Sequence, residues 1–214
     1  MNILLTSGAR RIDFVSFFRD ALKNAGIVGD VIVADPEHNA PSLQAGDVNY
    51  VIPHQTDERY MEAIVNICKD HEVKALVPLN DWEVPKISNH KKELEDLGVH
   101  VFTPDSEVVD KVRDKGKYRE LLGSFDVVAP RSYLNVEDAE RALNNSEVDY
   151  PLIVKPRNGS ASIGIEIVHD LDALKFAYQQ AVQTIKETPL DDATSKNAGE
   201  NVIIQEVIEG EKFS

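Results

Sequence analysis

Residues 150 to 169 read Tyr150-Pro-Leu-Ile-Val-Lys-Pro-Arg-Asn-Gly-Ser-Ala-Ser-Ile-Gly-Ile-Glu-Ile-Val-His169. Two apolar, β-branched runs flank a short loop of glycine and serine, so the pattern predicts a hairpin of two strands. Lys155 ends the first run. Loop N–H groups and hydroxyls can surround phosphate oxygens while a lysine supplies charge, in contacts worth roughly 1.5–3 kcal/mol each. The stretch therefore predicts either a polyphosphate site or an ordinary hairpin with an exposed lysine and a permissive loop.

The composition limits the class of protein. A chain of 214 residues can form one large or two small domains with a real core. Its formal net charge of −14 disfavours binding to nucleic acid or to an anionic membrane, although a local basic cluster can still hold a nucleotide. The single cysteine, Cys68, excludes an intrachain disulfide and a cysteine-rich metal site. Its apolar helical surroundings predict a buried side chain.

Neither a targeting segment nor a metal site is expected. The N-terminus lacks a basic region and reaches polar residues by Thr6, so it predicts a first strand rather than a signal peptide. No apolar run approaches the roughly 20 residues that a membrane span needs. The six histidines are scattered without acidic or cysteine partners at ligand spacing. We expect a cytoplasmic protein that has no membrane or nucleic-acid partner.

The first half of the chain alternates strands with helices. Apolar runs predict strands at 3–5, 31–34, 48–52, 75–79 and 99–102. The spacing of Phe14, Phe17 and Phe18 predicts a helix that Gly26 closes, and two further helices are predicted over 57–70 and 84–97. This βαβ alternation predicts an α/β fold with a parallel sheet covered by helices on both faces.

The second half has a different pattern. A stretch dense in charge predicts a helix over 110–122, followed by a strand near 132–134 and a helix over 136–143. After the lysine hairpin come a predicted long helix, 171–186, a polar surface loop, 188–200, and an apolar strand, 201–208. These elements predict an α+β unit with few strands.

The first strand-to-helix turn could belong to a dinucleotide-binding site. It reads Thr6-Ser-Gly-Ala-Arg-Arg11, and Asp35 at the end of the second strand could hold a ribose. However, Gly8 is the only glycine where the dinucleotide fingerprint has three. Arg10 and Arg11 could meet an anion at the helix N-terminus or simply be solvated. A Rossmann-type NAD protein therefore stays open as a less favoured alternative.

Further charged residues allow a functional and an ordinary interpretation. Lys115 and Lys117 precede Lys155 by about forty residues on a predicted helix, so they could approach a phosphate chain or form a solvated face. Asp81 and Glu83 follow the strand that ends at 79, at the edge of a parallel sheet where ligands bind, but loop carboxylates are usually solvated.

Taken in order, these segments resemble the ATP-grasp superfamily, and in particular proteins like the carbamoyl phosphate synthase large subunit. The opening Met1-Asn-Ile-Leu-Leu-Thr-Ser-Gly-Ala-Arg-Arg is similar to that group's pre-ATP-grasp domain. Four further segments match its nucleotide site in order: Asp114-Lys115 with Ala129-Pro130, Tyr150-Pro-Leu-Ile-Val-Lys155-Pro, Gly159 to Gly164, and Ile204-Gln-Glu-Val-Ile-Glu-Gly210. The resemblance covers essentially the whole chain.

The resemblance implies a fold and its boundaries. Residues 1–104 would form a Rossmann-like, parallel-sheet pre-ATP-grasp domain, and residues 105–214 an incomplete α+β ATP-grasp lobe. Within the lobe, 105–129 would be a helical linker and 130–208 a small nucleotide lobe, with the chain truncated after the hinge. Such a chain could be expected from a split or truncated gene.

The resemblance also implies an activity. ATP-grasp enzymes use ATP and Mg²⁺ to convert a carboxylate to an acyl phosphate, which a nucleophile then attacks. The implied partners are a nucleotide and a small carboxylate substrate, with a partner subunit or a second copy also considered. Since the family's Mg²⁺ ligands lie in a C-terminal lobe, the chain alone would bind ATP weakly at most. It would then be an inactive part of a carbon–nitrogen ligase, with no catalytic or metal-binding residue of its own.

The residue roles follow from the same resemblance. Lys115 and Lys155 would bind phosphate beneath a lid that includes Ser160, Ala161, Ser162 and Gly164. Glu206 would accept from the adenine amine, and Val207 and Ile208 would give backbone contacts to the ring. The family's acidic ribose ligand falls on Lys212, with Glu211 beside it as the candidate. The other alternative is a non-catalytic nucleotide-binding or assembly module.

Overall fold

A computed structural model describes residues 1–158, 164–187, 201–208 and 210. The chain divides into two compact units, one from Met1 to Val109 and a second from Asp110 onward. Within the described ranges, no helix has both the length and the apolar character needed to cross a membrane.

The first unit is built on a parallel five-stranded sheet. The strands are β1 (Asn2–Thr6), β2 (Val31–Asp35), β3 (Val48–Val51), β4 (Val73–Pro78) and β5 (His100–Val101). Their order is β3-β2-β1-β4-β5, and Ile3 of β1 is paired with Val31 on one side and Ala75 on the other. This confirms the predicted Rossmann-like, parallel-sheet fold.

Helices cover both faces of this sheet. They are α1 (Ile12–Asn24), α2 (Pro41–Ala45), α3 (Tyr60–Asp70), α4 (Val84–Asn89) and α5 (Lys91–Asp96). The next helix, α6 (Ser106–Arg113), runs across the unit boundary. Leu4 belongs to one buried cluster, whereas Ile3 and Leu5 belong to the other, because successive side chains of a strand point to opposite faces. Cys68 is buried in the cluster with Leu4, as predicted.

Two predicted helices have different bounds. The second predicted helix begins at Tyr60 rather than residue 57, because the Asp57 carboxylate accepts from the Arg59 N–H at 2.9 Å in a turn before the helix. The predicted helix over 84–97 is two helices. At His90 the ring Nδ1 lies 2.9 Å from the Lys86 carbonyl oxygen, which then does not accept the usual backbone bond.

The first helix also buries a different face from the predicted one. Val15 and Leu22 are buried and Phe18 packs against the same cluster, whereas Phe17 is 63% exposed. The spacing 15, 18, 22 follows the helical period, so an apolar residue outside that stripe faces solvent. The predicted closure by Gly26 is confirmed: its φ is +66°, and its N–H bonds the Lys23 carbonyl.

The second unit contains an antiparallel sheet of four strands. They are β6 (Ser132–Tyr133), β7 (Leu152–Pro156), β8 (Glu166–Val168) and β9 (Val202–Glu206), in the order β6-β9-β7-β8. The antiparallel pair of β7 and β8 confirms the predicted lysine hairpin. The helices of this unit are α7 (Tyr118–Gly123), α8 (Val136–Asn144) and α9 (Leu171–Lys186).

One predicted helix of the second unit is interrupted. The stretch 110–122 was expected to be continuous, but α6 ends at Arg113 and a 3₁₀ turn occupies Lys115–Lys117 before α7 begins. Asp114 causes the break, because its carboxylate accepts from the Gly116 N–H at 2.9 Å and caps the short turn. Lys115 is thus held in a tight turn rather than on a regular helix.

Candidate functional site

Lys155 lies on the open face of the second sheet. In β7 the residues alternate, so that Leu152 and Val154 are fully buried while Ile153 and Lys155 are half-buried on the opposite face. The helix α9 contacts β7 and presents Leu174 among its buried residues. The same alternation that anchors the strand therefore holds the lysine on the other face of the sheet.

Among the described residues, the Lys155 ammonium has one hydrogen-bond partner. Its Nζ donates to Gln205 Oε1 at 2.7 Å, and Gln205 Nε2 donates in turn to Ser132 Oγ at 2.8 Å. Burial lowers the pKa of Lys155 from its ordinary value. The three side chains come from β7, β9 and β6, which lie side by side in the sheet.

Lys115 contacts Arg157, the residue that directly follows β7. Its backbone N–H donates to the Arg157 carbonyl at 3.2 Å, and its Nζ lies 3.3 Å from the same oxygen. Arg157 comes two residues after Lys155 and directly follows β7. The structure thus brings both predicted phosphate lysines to the carboxyl end of β7.

A partly buried ion pair fixes this junction. The Arg157 guanidinium donates to both carboxylate oxygens of Asp114, with Nη2 to Oδ2 at 2.8 Å. Burial tends to raise the pKa of Asp114, but the hydrogen bond and charge of Arg157 outweigh it, so the pKa lies below its usual value. Gly116 leaves room for the guanidinium, since a Cβ there would lie 2.7 Å from Arg157 Nε.

The predicted lid falls largely outside the described residues. Ser160, Ala161 and Ser162 lie in 159–163, which the structure does not describe. Gly164 is described and has φ of +68°, a left-handed backbone that favours glycine. The candidate ribose residue Glu211 likewise lies outside the described ranges.

The predicted adenine residues lie at the end of β9. Glu206 ends the strand; its N–H donates to the Arg131 carbonyl at 3.0 Å, and its Oε1 accepts from the Arg131 N–H at 2.8 Å. Val207 follows it, and Ile208 is 65% exposed. The chain after β9 therefore has backbone and apolar groups that are not part of the sheet ladder.

A cleft of about 760 Å³ also reaches this part of the second unit. Glu206 and Val207 line it together with residues from the segments 119–131 and 147–151. Neither Lys115 nor Lys155 is among its lining residues. The positive charges that line this cleft are Arg119 and Arg131 rather than the two lysines.

The dinucleotide alternative finds little support in the first unit. Asp35 is 2% exposed, and its two oxygens accept from the N–H groups of Ala9 and Glu37 at 2.7 and 2.9 Å. The carboxylate therefore holds the turn after β1 in place instead of being presented to a ribose. Arg10 and Arg11 are exposed.

Sequence reasoning missed the environment of Glu83. The sequence left open whether Glu83 lies at a ligand-binding edge or is a solvated loop carboxylate, and the structure shows that it is fully buried. It accepts from the hydroxyls of Thr6 and Ser7 at 2.9 and 2.7 Å and from that of Tyr60. Burial raises the pKa of Glu83 above its ordinary value although these hydroxyls act in the opposite direction. No local pattern marks it, since the three residues that donate these hydroxyl bonds lie 23 to 77 residues away in the sequence.

Among the described residues, no three His, Cys, Asp or Glu side chains come together as a possible ion site. The candidate site in this part of the chain thus consists of lysines that suit phosphate.

The comparisons with known proteins follow the division into two units. Residues 3–102 match the family model of the PylC-like N-terminal domain, and residues 148–214 match that of the ATP-grasp domain. Residues 148–214 carry an ATP-grasp domain. The predicted superfamily is thereby confirmed, with Lys155, Gln205 and Glu206 inside the ATP-grasp match.

Two curated relatives illustrate the range of the family. The chain is 22% identical over 171 residues to the carbamoyl phosphate synthase large chain of Pseudomonas putida, covering 79% of this chain and 15% of the relative. It is 26% identical over 181 residues to the formate-dependent phosphoribosylglycinamide formyltransferase of Prochlorococcus marinus strain MIT 9515, covering 84% and 42%. The ATP-grasp chain thus spans less than half of each relative.

Solved structures share the fold. The biotin carboxylase domain of Hydrogenobacter thermophilus 2-oxoglutarate carboxylase has a TM-score of 0.72 at 20% identity, covering 97% of this chain and 44% of that one. Biotin carboxylase of Campylobacter jejuni has a TM-score of 0.71 at 19% identity, covering 97% and 45%. At these identities the similarity establishes the fold of this ATP-grasp chain and no more.

Proposed function

We propose that the second unit binds the triphosphate of ATP through Lys115 and Lys155. One observation carries this proposal: both the N–H and the Nζ of Lys115 lie within hydrogen-bond distance of the Arg157 carbonyl, two residues after Lys155. Two ammonium groups at the same end of β7 suit a ligand with several negative charges.

The proposed reaction of the whole enzyme is the activation of a carboxylate. A carboxylate oxygen attacks the γ-phosphorus of ATP, the bond from that phosphorus to its bridging oxygen breaks, and ADP leaves. An acyl phosphate results, and a nucleophile such as an amine displaces its phosphate. Mg²⁺, when bound, would stabilise the charge on the transferring phosphoryl group.

The relatives support this reaction class. The Hydrogenobacter domain was crystallised as a dimer with MgADP, ADP and bicarbonate, and the Campylobacter biotin carboxylase as a β,γ-ATP complex. Since this chain spans less than half of the relatives, the proposed activity is that of a whole ligase. We propose that these 214 residues alone bind ATP weakly and do not turn it over.

Each remaining residue has a proposed part in holding the nucleotide. Glu206 accepts from the adenine amine, while the backbones of Val207 and Ile208 meet the ring. Ser160, Ala161, Ser162 and Gly164 cover the phosphates, and Glu211 contacts the ribose. A second subunit or a second copy of the chain is the proposed protein partner of the ligase, beside its carboxylate substrate.

A thermal-shift titration with ATP and with NAD tests the nucleotide class. We expect ATP to raise the melting temperature of the wild type, because a ligand that binds only the folded state stabilises it, and NAD to leave it unchanged. Lys155→Ala should abolish the ATP shift. Lys186→Ala removes the same charge from the exposed end of α9 and serves as the matched control. Stabilisation by ATP that survives Lys155→Ala would contradict the assignment.

A further inference from the structure

Gln205 is an unusually buried polar side chain on the face of the sheet that carries Lys155. It is only 6% exposed, and its amide lies between the Lys155 ammonium and the Ser132 hydroxyl. A buried amide must find partners for both its oxygen and its nitrogen, or the unpaired atom destabilises the fold. Here both atoms are bonded within the same sheet.

The network fixes which way this amide points. The Pro130 carbonyl can only accept, and Ser132 Oγ donates to it at 3.1 Å. With its proton used in that bond, Ser132 Oγ accepts from Gln205 Nε2 at 2.8 Å. The amide oxygen is consequently left facing Lys155 Nζ, at 2.7 Å. The hydrogen-bond network, rather than the placement of the two similar amide atoms, determines this orientation.

The uncharged acceptor has a chemical consequence. An amide oxygen takes one of the three N–H donors of an ammonium and leaves its charge in place. A carboxylate at the same point would pair with the ammonium and compete with any anionic ligand. Burial is the one influence that shifts the pKa of Lys155, and no carboxylate of the described residues pairs with it.

We propose that Gln205 is a positioning residue that aims the Lys155 ammonium at a nucleoside triphosphate while leaving its positive charge for the phosphates. The inference rests on the proposed function, since it assigns a role to Lys155 in binding ATP. Ser132 acts one step further away by holding the amide in the required orientation. The role belongs to the phosphate end of the ligand and not to the adenine end.

Two substitutions at Gln205 distinguish the effect of a negative charge beside Lys155 from the effect of losing the acceptor that orients it. Gln205→Glu has nearly the same shape and puts a carboxylate beside Lys155, so we expect ATP affinity to fall at least about tenfold. AMP, with one phosphate, should be affected by about twofold or less. Gln205→Met keeps the length but has no strong acceptor, and should weaken ATP binding by several-fold, less than Gln205→Glu does. Gln180→Glu on the exposed part of α9 adds the same charge in the same unit and should behave like the wild type.

A spectroscopic titration checks the contact without any nucleotide. Following the Lys155 side-chain amine by NMR across pH, we expect Gln205→Glu to raise the pKa of Lys155, because a neighbouring carboxylate favours the charged form. Gln180→Glu should leave that titration unchanged. If Gln205 contributed only to packing, the pKa of Lys155 would not change in Gln205→Glu. Melting temperatures of all variants show whether each one is folded.

The outcomes distinguish this inference from the proposed function. If the wild type binds no ATP, the proposed function fails, and the NMR titration still tests the contact of Gln205 with Lys155. If the wild type binds ATP and Lys155→Ala weakens it, while Gln205→Glu and Gln205→Met both bind ATP like the wild type, the inference is overturned and the proposed function stands. An unchanged Lys155 titration in Gln205→Glu would equally overturn it. Should Gln205→Glu fail to fold, the ATP affinity of Gln205→Met decides whether the inference stands: weakened binding supports it, and wild-type binding overturns it.

Discussion

At the scale of single residues, Arg157 connects two parts of the candidate site. Its guanidinium forms the ion pair with Asp114, and its carbonyl meets both the N–H and the Nζ of Lys115. A bidentate arginine–carboxylate pair fixes direction as well as distance. The position of Lys115 therefore depends on the residue that follows β7. A substitution of Arg157 or Asp114 should change the position of Lys115 and so weaken phosphate binding.

Gly116 gives the first test of this junction. A Cβ at position 116 would lie 2.7 Å from Arg157 Nε, so Gly116→Ala should push the guanidinium away from Asp114. We expect a loss of about 1–3 kcal/mol in the free energy of unfolding, as for other overpacked sites. Urea unfolding followed by circular dichroism measures it.

Gly123 is the matched control for that substitution. It ends α7, and a Cβ there would meet nothing within 4 Å. Gly123→Ala should change the unfolding free energy by no more than about 1 kcal/mol, in the stabilising direction, because alanine favours a helix over glycine. Equal losses in both variants would show that the Arg157–Asp114 contact is not the cause.

Glu83 makes stability depend on pH. Its pKa is raised above the ordinary 4.5 by burial, so the folded state holds the proton more tightly than the unfolded state. The stabilisation from this proton is fully present below the unfolded pKa and is lost as pH rises through the folded pKa. Glu83→Gln cannot titrate, so its stability should rise relative to the wild type as pH rises above about 4.5, by up to about 1.4 kcal/mol per pH unit.

Unfolding monitored at several pH values by the fluorescence of Trp82, the single tryptophan and the neighbour of Glu83, measures this effect. Glu62→Gln on the exposed side of α3 serves as the control and should follow the wild-type curve. Parallel curves for wild type and Glu83→Gln between pH 4.5 and 8 would contradict the assignment.

At the scale of elements, a side-chain cap decides where α8 begins. The Asn135 side chain accepts from the Asp138 N–H at 2.7 Å and so caps α8. Its amide also donates to the Asp138 carboxylate at 2.9 Å. The strand β6 ends two residues before this cap, so the cap fixes the connection between β6 and α8.

Removing the cap should weaken the helix. We expect Asn135→Ala to cost about 1 kcal/mol of unfolding free energy, since one N–H of the first turn loses its acceptor. Asn135→Ser keeps a hydroxyl oxygen at the same position and should recover most of the loss. Urea unfolding curves of the three proteins provide the comparison; an alanine variant as stable as the wild type would show that the cap contributes nothing.

At the scale of the whole molecule, periodicity predicted most of the architecture. The alternation of apolar runs and helical patterns indicated the parallel sheet, and the β7–β8 hairpin followed from two β-branched runs around a loop. Buried strands and amphipathic helices are properties of short segments, so one sequence reveals them. The superfamily was recognisable for the same reason, because its segments recur in a fixed order.

The interior polar contacts could not be predicted in that way. Gln205 and Lys155 are 50 residues apart, Asp114 and Arg157 are 43 apart, and Glu83 meets partners at distances of up to 77 residues. Each of these pairs depends on the register of strands and on turns that bring distant segments together. A single sequence shows the residues but not their pairing. The break at Asp114 was missed as well, although Gly116, a poor helix former, follows it by two residues.

The most direct test of the account is a calorimetric titration of ATP and AMP into wild type, Lys115→Ala and Lys155→Ala, with Lys186→Ala as the control. If both lysines bind one triphosphate, each substitution should weaken ATP binding by about tenfold or more, AMP binding should change far less, and Lys186→Ala should match the wild type. ATP affinities that stay at the wild-type value in Lys115→Ala and Lys155→Ala would contradict the shared phosphate site.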